Sequence, residues 1–171
     1  MLNTEKVKAM TLKLQYGNTI SNLKTILPAQ HFILTGSYVL ATYGLVSASD
    51  VHDLDIILVN PEQTALDNIK NYVKDFPAKT NPPKDNTFCQ GIFMYNNVKI
   101  DVFVENSFAE PILNIDGIDC TIIPHIIKAK KSYGRMKDWL QCRDMSRLFF
   151  KPEEFTSQLN DNWKSLLKDN Y

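Results

Sequence analysis

The chain has 171 residues, enough for one domain with a substantial hydrophobic core. Hydrophobic residues make up 44% and charged residues 22%, and 19 basic residues balance 19 acidic ones, so the formal net charge is zero. This balance argues against a protein that coats nucleic acid or an anionic membrane through its overall charge. The three cysteines, Cys89, Cys120 and Cys142, form no CxxC pair, which argues against a disulfide framework or a zinc site.

The sequence MLNTEKVKAM at the N-terminus has no apolar signal-like segment, and no apolar run approaches the length of a membrane span. Cysteines that are odd in number and widely spaced also fit a reducing compartment. We therefore expect a cytoplasmic protein that makes no membrane contact.

The spacing of apolar residues and of turn residues predicts alternating helices and strands. In chain order these are a helix from Thr4 to about Leu27 that Pro28 ends, a strand at 31–35, a short helix to Tyr43, a strand at 53–59, a helix from Pro61 to about Phe76, a surface loop at 77–86, hairpin strands at 87–95 and 98–104, a second hairpin turning at Asp116-Gly117, and helices after Pro124. This order predicts an α+β fold with a mixed sheet flanked by helices. We expect a single domain over residues 1–171, with a core at about 31–123 and C-terminal helices at about 124–168.

Two acidic residues stand at the start of the strand DLDIILV, which is otherwise apolar on both faces. Because side chains alternate along a strand, Asp53 and Asp55 project to the same side, roughly 7 Å apart. One explanation is a pair of solvated acids at the rim of the sheet. The other is a bound cation, since two ionised carboxylates in a poorly hydrated place repel each other.

A third acidic residue favours the cation. Asp101 lies inside VKIDVFVEN, a strand of the same apolar type, and would lie beside Asp53 and Asp55 if the two strands are neighbours. Three clustered carboxylates suit hard divalent cations such as Mg²⁺, which also accept substrate phosphates as ligands. Upstream, Gly36 could allow close approach of a phosphate, and Ser37 could either contact it or only cap the following helix.

The combination of Gly36-Ser37, a short helix, Asp53-Leu54-Asp55 at a strand start and a later Asp101 resembles the nucleotidyltransferase superfamily typified by DNA polymerase beta. The segment GIDCTIIPHIIKAKKSYGRMKDWLQC is also similar to the end of a bacterial subgroup whose helix reads roughly lxxaKxxxGRxKDxxD. Lys130, Gly134, Arg135, Lys137 and Asp138 match this pattern, whereas Gln141 replaces its last acid. That subgroup includes stand-alone domains, antibiotic-modifying enzymes and toxins of phage-defence systems.

The resemblance implies a transferase that moves a nucleoside monophosphate from an NTP to an acceptor hydroxyl and releases pyrophosphate. Asp53, Asp55 and Asp101 would then hold a two-ion Mg²⁺ site, and Gly36, Ser37, Lys130 and Arg135 would contact the nucleotide. Lys130 could instead be a solvated lysine in a lysine-rich run, and Arg135 could simply lie on an exposed helix surface. The acceptor, whether RNA, protein or small molecule, stays open, as does a partner chain.

Two other functions remain open at this point. The chain could be a non-catalytic binding module or antitoxin-like partner that kept the fold, which the replacement at Gln141 favours. It could also be a structural domain in which the Asp-x-Asp pattern has no chemical role. The intact set of three acids favours the enzyme.

Overall fold

The structure is a computed structural model that describes residues 16–27, 32–72 and 89–150. Six strands form one sheet in the order β3-β4-β2-β1-β6-β5. Their bounds are β1 Phe32–Thr35, β2 Asp53–Val59, β3 Cys89–Tyr95, β4 Val98–Glu105, β5 Ile112–Ile115 and β6 Ile118–Thr121. β2 lies next to the middle of the sheet, antiparallel to β1 and parallel to β4.

Five helices accompany the sheet, and all their bounds refer to the described part of the chain. They are α1 at 16–26, α2 Gly36–Thr42, α3 Gln63–Tyr72, α4 Ile123–Tyr133 and α5 Met136–Phe150, with a short 3-10 helix at Ala48–Asp50. None of the described helices is both long and apolar enough to cross a lipid bilayer.

One face of the central strands belongs to the main hydrophobic core. Leu54, Ile56 and Leu58 on β2 alternate with the residues that face the other way, and all three are fully buried. Ile100 and Val102 on β4 join them, together with buried residues of α1, α4 and α5: Ile20, Leu23, Ile126, Cys142 and Met145. This burial fixes the orientation of β2 and β4, because turning either strand over would place carboxylates in the core.

Two tight turns join neighbouring antiparallel strands. Asn96 and Asn97 have φ angles of 49° and 61° between β3 and β4, while Asp116 and Gly117 have 52° and 78° between β5 and β6. Left-handed conformations at both central residues match the twist of a two-residue hairpin, and Asn, Asp and Gly tolerate them best. Both hairpins are where the sequence predicts them.

The predicted fold class is confirmed, and the strands predicted at 31–35, 53–59 and 98–104 correspond to β1, β2 and β4, which are neighbours in one sheet. Two details were wrong. Pro61 does not begin α3: the carbonyl of Glu62 accepts bonds from the backbone N–H groups of Ala65 and Leu66, so the helix begins after Glu62. Ser37 does not cap α2, whose N-cap is Thr35.

Several predictions concern residues outside the described ranges. These are the first part of the helix predicted from Thr4, the end of the helix predicted to Phe76, the loop at 77–86 and the helix after residue 150. The single-domain boundary at 1–171 also stays a prediction.

Candidate active site

The face of β2 and β4 opposite the main core carries four charged side chains in a two-by-two array. The parallel register places Asp53 opposite Lys99 and Asp55 opposite Asp101. Residues two apart on a strand share a face, so Asp53, Asp55, Lys99 and Asp101 all project to the same side. The structure therefore places the three acids on the same face of two adjacent strands, as the sequence predicts.

Lys99 is the member of this array that the sequence analysis missed. Its ammonium Nζ lies 3.0 Å from Asp53 Oδ2, and it lies 3.1 Å and 3.2 Å from the two carboxylate oxygens of Asp101. Burial acts to lower the pKa of Lys99, but its hydrogen bonds to Asp53 and Asp101 outweigh that effect and raise the pKa above its ordinary value. The i, i+2 spacing of Lys99 and Asp101 was the signal that could have placed the lysine on this face.

Gly36 lies directly against Asp55, because Thr35 pairs with Asp55 across the antiparallel β1–β2 register. Its φ is +74°, and a Cβ at this position would overlap Asp55 Oδ2 and lie 2.8 Å from Asp55 Cγ. Glycine is thus required at position 36 for two reasons: the left-handed backbone conformation, and the Asp55 carboxylate, which occupies the space that a Cβ would need. The predicted reason for glycine was phosphate approach; the contact that the structure shows is with a site acid.

The pKa of Asp55 is strongly shifted by its surroundings. Its pKa is raised from 3.8 to about 7, mainly by burial and further by repulsion from Asp53 and Asp101. Lys130 and Lys99 act in the opposite direction. Near neutral pH the metal-free site therefore holds Asp55 partly protonated, and a cation close to Asp55 would favour its ionised form.

Lys130 and Arg135 lie at the junction of α4 and α5. Gly134, with φ 64°, ends α4 in a left-handed C-cap, and α5 begins two residues later. Lys130 Nζ donates to Asp138 Oδ1 at 3.4 Å. Arg135 donates to both carboxylate oxygens of Asp138, from Nε at 2.5 Å and from Nη2 at 3.2 Å. Asp138, fully buried, thus fixes two cations at the turn between the helices.

These cations differ in how accessible they are. The Lys130 side chain is only 9% exposed, so the alternative of a solvated lysine is wrong, whereas Arg135 is 54% exposed. The hydrogen bond to Asp138 is the main cause that raises the pKa of Arg135, and the field of Asp55 adds a smaller contribution. Since Lys130 also lowers the pKa of Asp55, both cations lie close enough to the acids to interact with them electrostatically.

The donor set suits Mg²⁺ in kind, since three carboxylates supply hard oxygen ligands on one face. Within residues 16–27, 32–72 and 89–150, however, no three His, Cys, Asp or Glu side chains already converge on a metal position. Asp53 and Asp101 are instead bridged by the Lys99 ammonium, which lies 3.0 Å and 3.1 Å from their carboxylate oxygens. Oxygen ligands for a metal are present, but those of Asp53 and Asp101 are engaged with the Lys99 ammonium.

No protein-family model and no curated protein match the sequence. A crystal structure from Thermotoga maritima, provisionally assigned as a nucleotidyltransferase, matches the structure with 14% sequence identity and a TM-score of 0.49. The match covers 79% of this chain and 94% of the other. At this level of similarity the match carries no argument about family or chemistry. The function must therefore be inferred from the site itself.

Replacing Gly36 by Ala should destabilise the fold by more than the φ strain alone. A left-handed alanine costs about 1–2 kcal/mol, and the new Cβ must also displace the Asp55 carboxylate. Asp55→Ala removes the obstructing atoms, so the double variant should lose less than the sum of the single losses, by at least about 1 kcal/mol. Urea denaturation of the four proteins measures this coupling.

Gly117→Ala is the matched control, because Gly117 has φ +78° but a Cβ added there would meet no atom within 4 Å. It should show the φ strain and no coupling to Asp55→Ala. Equal losses for Gly36→Ala and Gly117→Ala, with additive doubles, would mean that Asp55 does not press on Gly36.

The raised pKa of Asp55 predicts how stability depends on pH. The Asp55 carboxyl binds a proton more tightly in the folded state than in the unfolded state. Ionised Asp55 therefore lowers the stability of the fold, and this loss of stability is absent below about pH 4 and grows as the pH rises to about 7. A completed shift of this size corresponds to roughly 4 kcal/mol. The stability advantage of Asp55→Asn over wild type, measured without metal, should therefore be larger at about pH 8 than at about pH 5.

Asp50→Asn, at an exposed carboxyl in the 3-10 helix, serves as the control and should differ from wild type by the same small amount at both pH values. An advantage of Asp55→Asn that does not change with pH would contradict the desolvated state of Asp55.

Proposed function

We propose that this protein is a Mg²⁺-dependent nucleotidyltransferase that moves a nucleoside monophosphate from an NTP to an acceptor hydroxyl and releases pyrophosphate. One observation carries the proposal: Asp53, Asp55 and Asp101 share one face of two adjacent parallel strands, beside a glycine that leaves room for the Asp55 carboxylate. A fold gains no stability from three such acids, because their mutual repulsion and desolvation are unfavourable. Their presence supports a ligand that needs them.

The three carboxylates would hold up to two Mg²⁺ ions. When bound, Mg²⁺ offsets the negative charge of the triphosphate and of the leaving pyrophosphate and makes an acceptor hydroxyl easier to deprotonate. In this proposal Asp53 and Asp55 would hold both metal ions, and Asp101 would complete the site of one of them. Asp101, the less exposed of the two acids that pair with Lys99, accepts the proton of the acceptor hydroxyl at a carboxylate oxygen.

In this proposal the residues around Asp55 bind the phosphates of the nucleotide. Gly36 and Ser37 begin α2 directly beside it, and Arg135 and Lys130 lie within its electrostatic field. Arg135 is the better candidate for direct phosphate contact, because its guanidinium is half exposed and planar, with donors that match phosphate oxygens. Lys130 is buried against Asp138, so its role is to add positive potential near the acids.

The acceptor would contact the C-terminal helices. At the start of α5, next to Arg135, the apolar side chains of Met136, Trp139 and Leu140 are exposed by 75%, 53% and 42%. An RNA end, a protein hydroxyl or a small molecule could be the acceptor, and a partner chain could help to bind it. A labelled-NTP transfer assay on cell extract, followed by fractionation of the labelled product, would identify the class.

A second candidate function is a non-catalytic binding or antitoxin-like module with this fold. The observation that favours it is the internal ion pairing of Lys99 with Asp53 and Asp101, which offsets part of the site's negative charge without any metal. Gln141, in place of the last acid of the family pattern, points the same way. The two functions differ in whether Mg²⁺ and an NTP bind together.

Melting curves of wild type and Asp55→Asn, each in EDTA and in Mg²⁺ with each of the four NTPs, test the proposed function. Wild type should be stabilised by Mg²⁺ with at least one NTP, since a ligand that binds only the folded state raises its stability. Asp55→Asn should lose this shift while its metal-free form is at least as stable as wild type, because the substitution relieves repulsion.

Asp67→Asn, which alters an exposed carboxyl on α3, controls for the change of charge and should keep the ligand-dependent shift. If wild type shows no shift with any of the four NTPs, the non-catalytic module replaces the enzyme as the assigned function.

A further inference from the structure

The Lys99 side chain crosses from its own strand to the neighbouring one. Lys99 lies opposite Asp53 in the β2–β4 register and two residues before Asp101 on β4. Its Nζ reaches Asp53 at 3.0 Å and Asp101 at 3.1 Å, so one ammonium group joins the first and the last of the three acids. The side chain is 37% exposed, which leaves it an open route to solvent.

The position of this ammonium group is the one that a metal ion would need. A divalent cation shared by Asp53 and Asp101 must approach an oxygen of Asp101, and the ammonium nitrogen lies within 3.2 Å of both of them. The ammonium therefore opposes such a cation by both volume and charge. A double positive charge and a lysine charge cannot share this space without strong repulsion. Metal binding and the present position of Lys99 are therefore mutually exclusive.

We propose that Lys99 is an internal counterion that holds the acid site closed in the absence of substrate, and that a divalent cation binds only when Lys99 leaves Asp53 and Asp101. This inference rests on the proposed function for its metal, and it adds an order of events to that function. A metal ion alone would bind weakly, because it must displace Lys99 without compensation. An NTP supplies phosphate oxygens that can accept hydrogen bonds from the displaced ammonium group. The metal and the nucleotide therefore bind together.

The alternative role for Lys99 is purely structural, as an ion pair that stabilises the β2–β4 edge. A partly exposed lysine pair contributes little to stability on average. If Lys99 mainly held the acids in alignment, removing the lysine would weaken the binding of a metal ion, since the acids would lose that alignment. The two roles thus predict opposite changes in metal affinity.

The test is the binding of Mn²⁺ alone, measured by electron paramagnetic resonance of the free ion, to wild type and to Lys99→Met. Removal of the ammonium should tighten Mn²⁺ binding on the order of tenfold or more, given the field of a unit charge a few ångströms from a divalent ion. Lys128→Met, at an exposed lysine on α4, makes the same change in net charge and should leave Mn²⁺ affinity within about twofold of wild type.

Two further variants make the result decisive. Lys99→Gln keeps hydrogen-bond donors for the acids, so it provides the same measurement if Lys99→Met does not fold, and it should also bind Mn²⁺ more tightly. Adding Asp101→Asn to either variant should abolish the gain, because the metal loses one of its ligands. Unchanged or weaker Mn²⁺ binding in both Lys99 variants would overturn the inference.

The outcome also separates this inference from the proposed function. If the Lys99 variants gain Mn²⁺ affinity while wild type shows no thermal response to Mg²⁺ with any NTP, Lys99 is the internal counterion and the transferase assignment fails. If wild type responds to Mg²⁺ with an NTP while the Lys99 variants gain no Mn²⁺ affinity, the transferase stands and the role given to Lys99 is wrong.

Discussion

The parallel pairing of β2 with β4 is the constraint on which the candidate site depends. The buried Leu54, Ile56, Ile100 and Val102 fix which face of each strand meets the core. Because side chains alternate between the two faces of a strand, Asp53, Asp55 and Asp101 must then lie on the opposite face. The hydrophobic core thus keeps three mutually repelling acids close together. The surrounding cations reduce that repulsion.

The two lysines near the acids act on them in different ways. Lys99 offsets part of the charge of Asp53 and Asp101 by direct contact, while Lys130 acts on Asp55 through its field from a buried position that Asp138 maintains. Because Asp138 is fully buried with two cationic partners, loss of its charge would leave Lys130 buried without compensation, which is strongly unfavourable. The junction of α4 and α5 therefore links the stability of the C-terminal helices to the electrostatics of the acid site.

Much of this arrangement could be predicted from the sequence, and the reasons are local. Strand alternation put Asp53 and Asp55 on one face, and Asn96-Asn97 and Asp116-Gly117 marked the hairpin turns. The register between β2 and β4 could not be predicted, because these strands are distant in sequence and alternation alone does not align them. Without the register, the contact of Lys99 with Asp53 is invisible, and Lys99 looks like an ordinary strand residue. The contact of Gly36 with Asp55 likewise follows from the pairing of Thr35 with Asp55, which again requires a register. The burial of Lys130 depends on how α4 and α5 pack after Gly134, and a run of lysines in the sequence suggests solvent exposure instead.

The most direct measurement is a crystal structure of the wild-type protein with Mg²⁺ and a non-hydrolysable NTP analogue. We expect metal density in contact with carboxylate oxygens of Asp53, Asp55 and Asp101, with oxygen ligands at about 2.1 Å. We also expect the Lys99 ammonium to have moved from Asp53 and Asp101 to a phosphate oxygen of the analogue. A nucleotide bound elsewhere, or a Lys99 ammonium still between the two acids with no metal beside them, would contradict the proposed site.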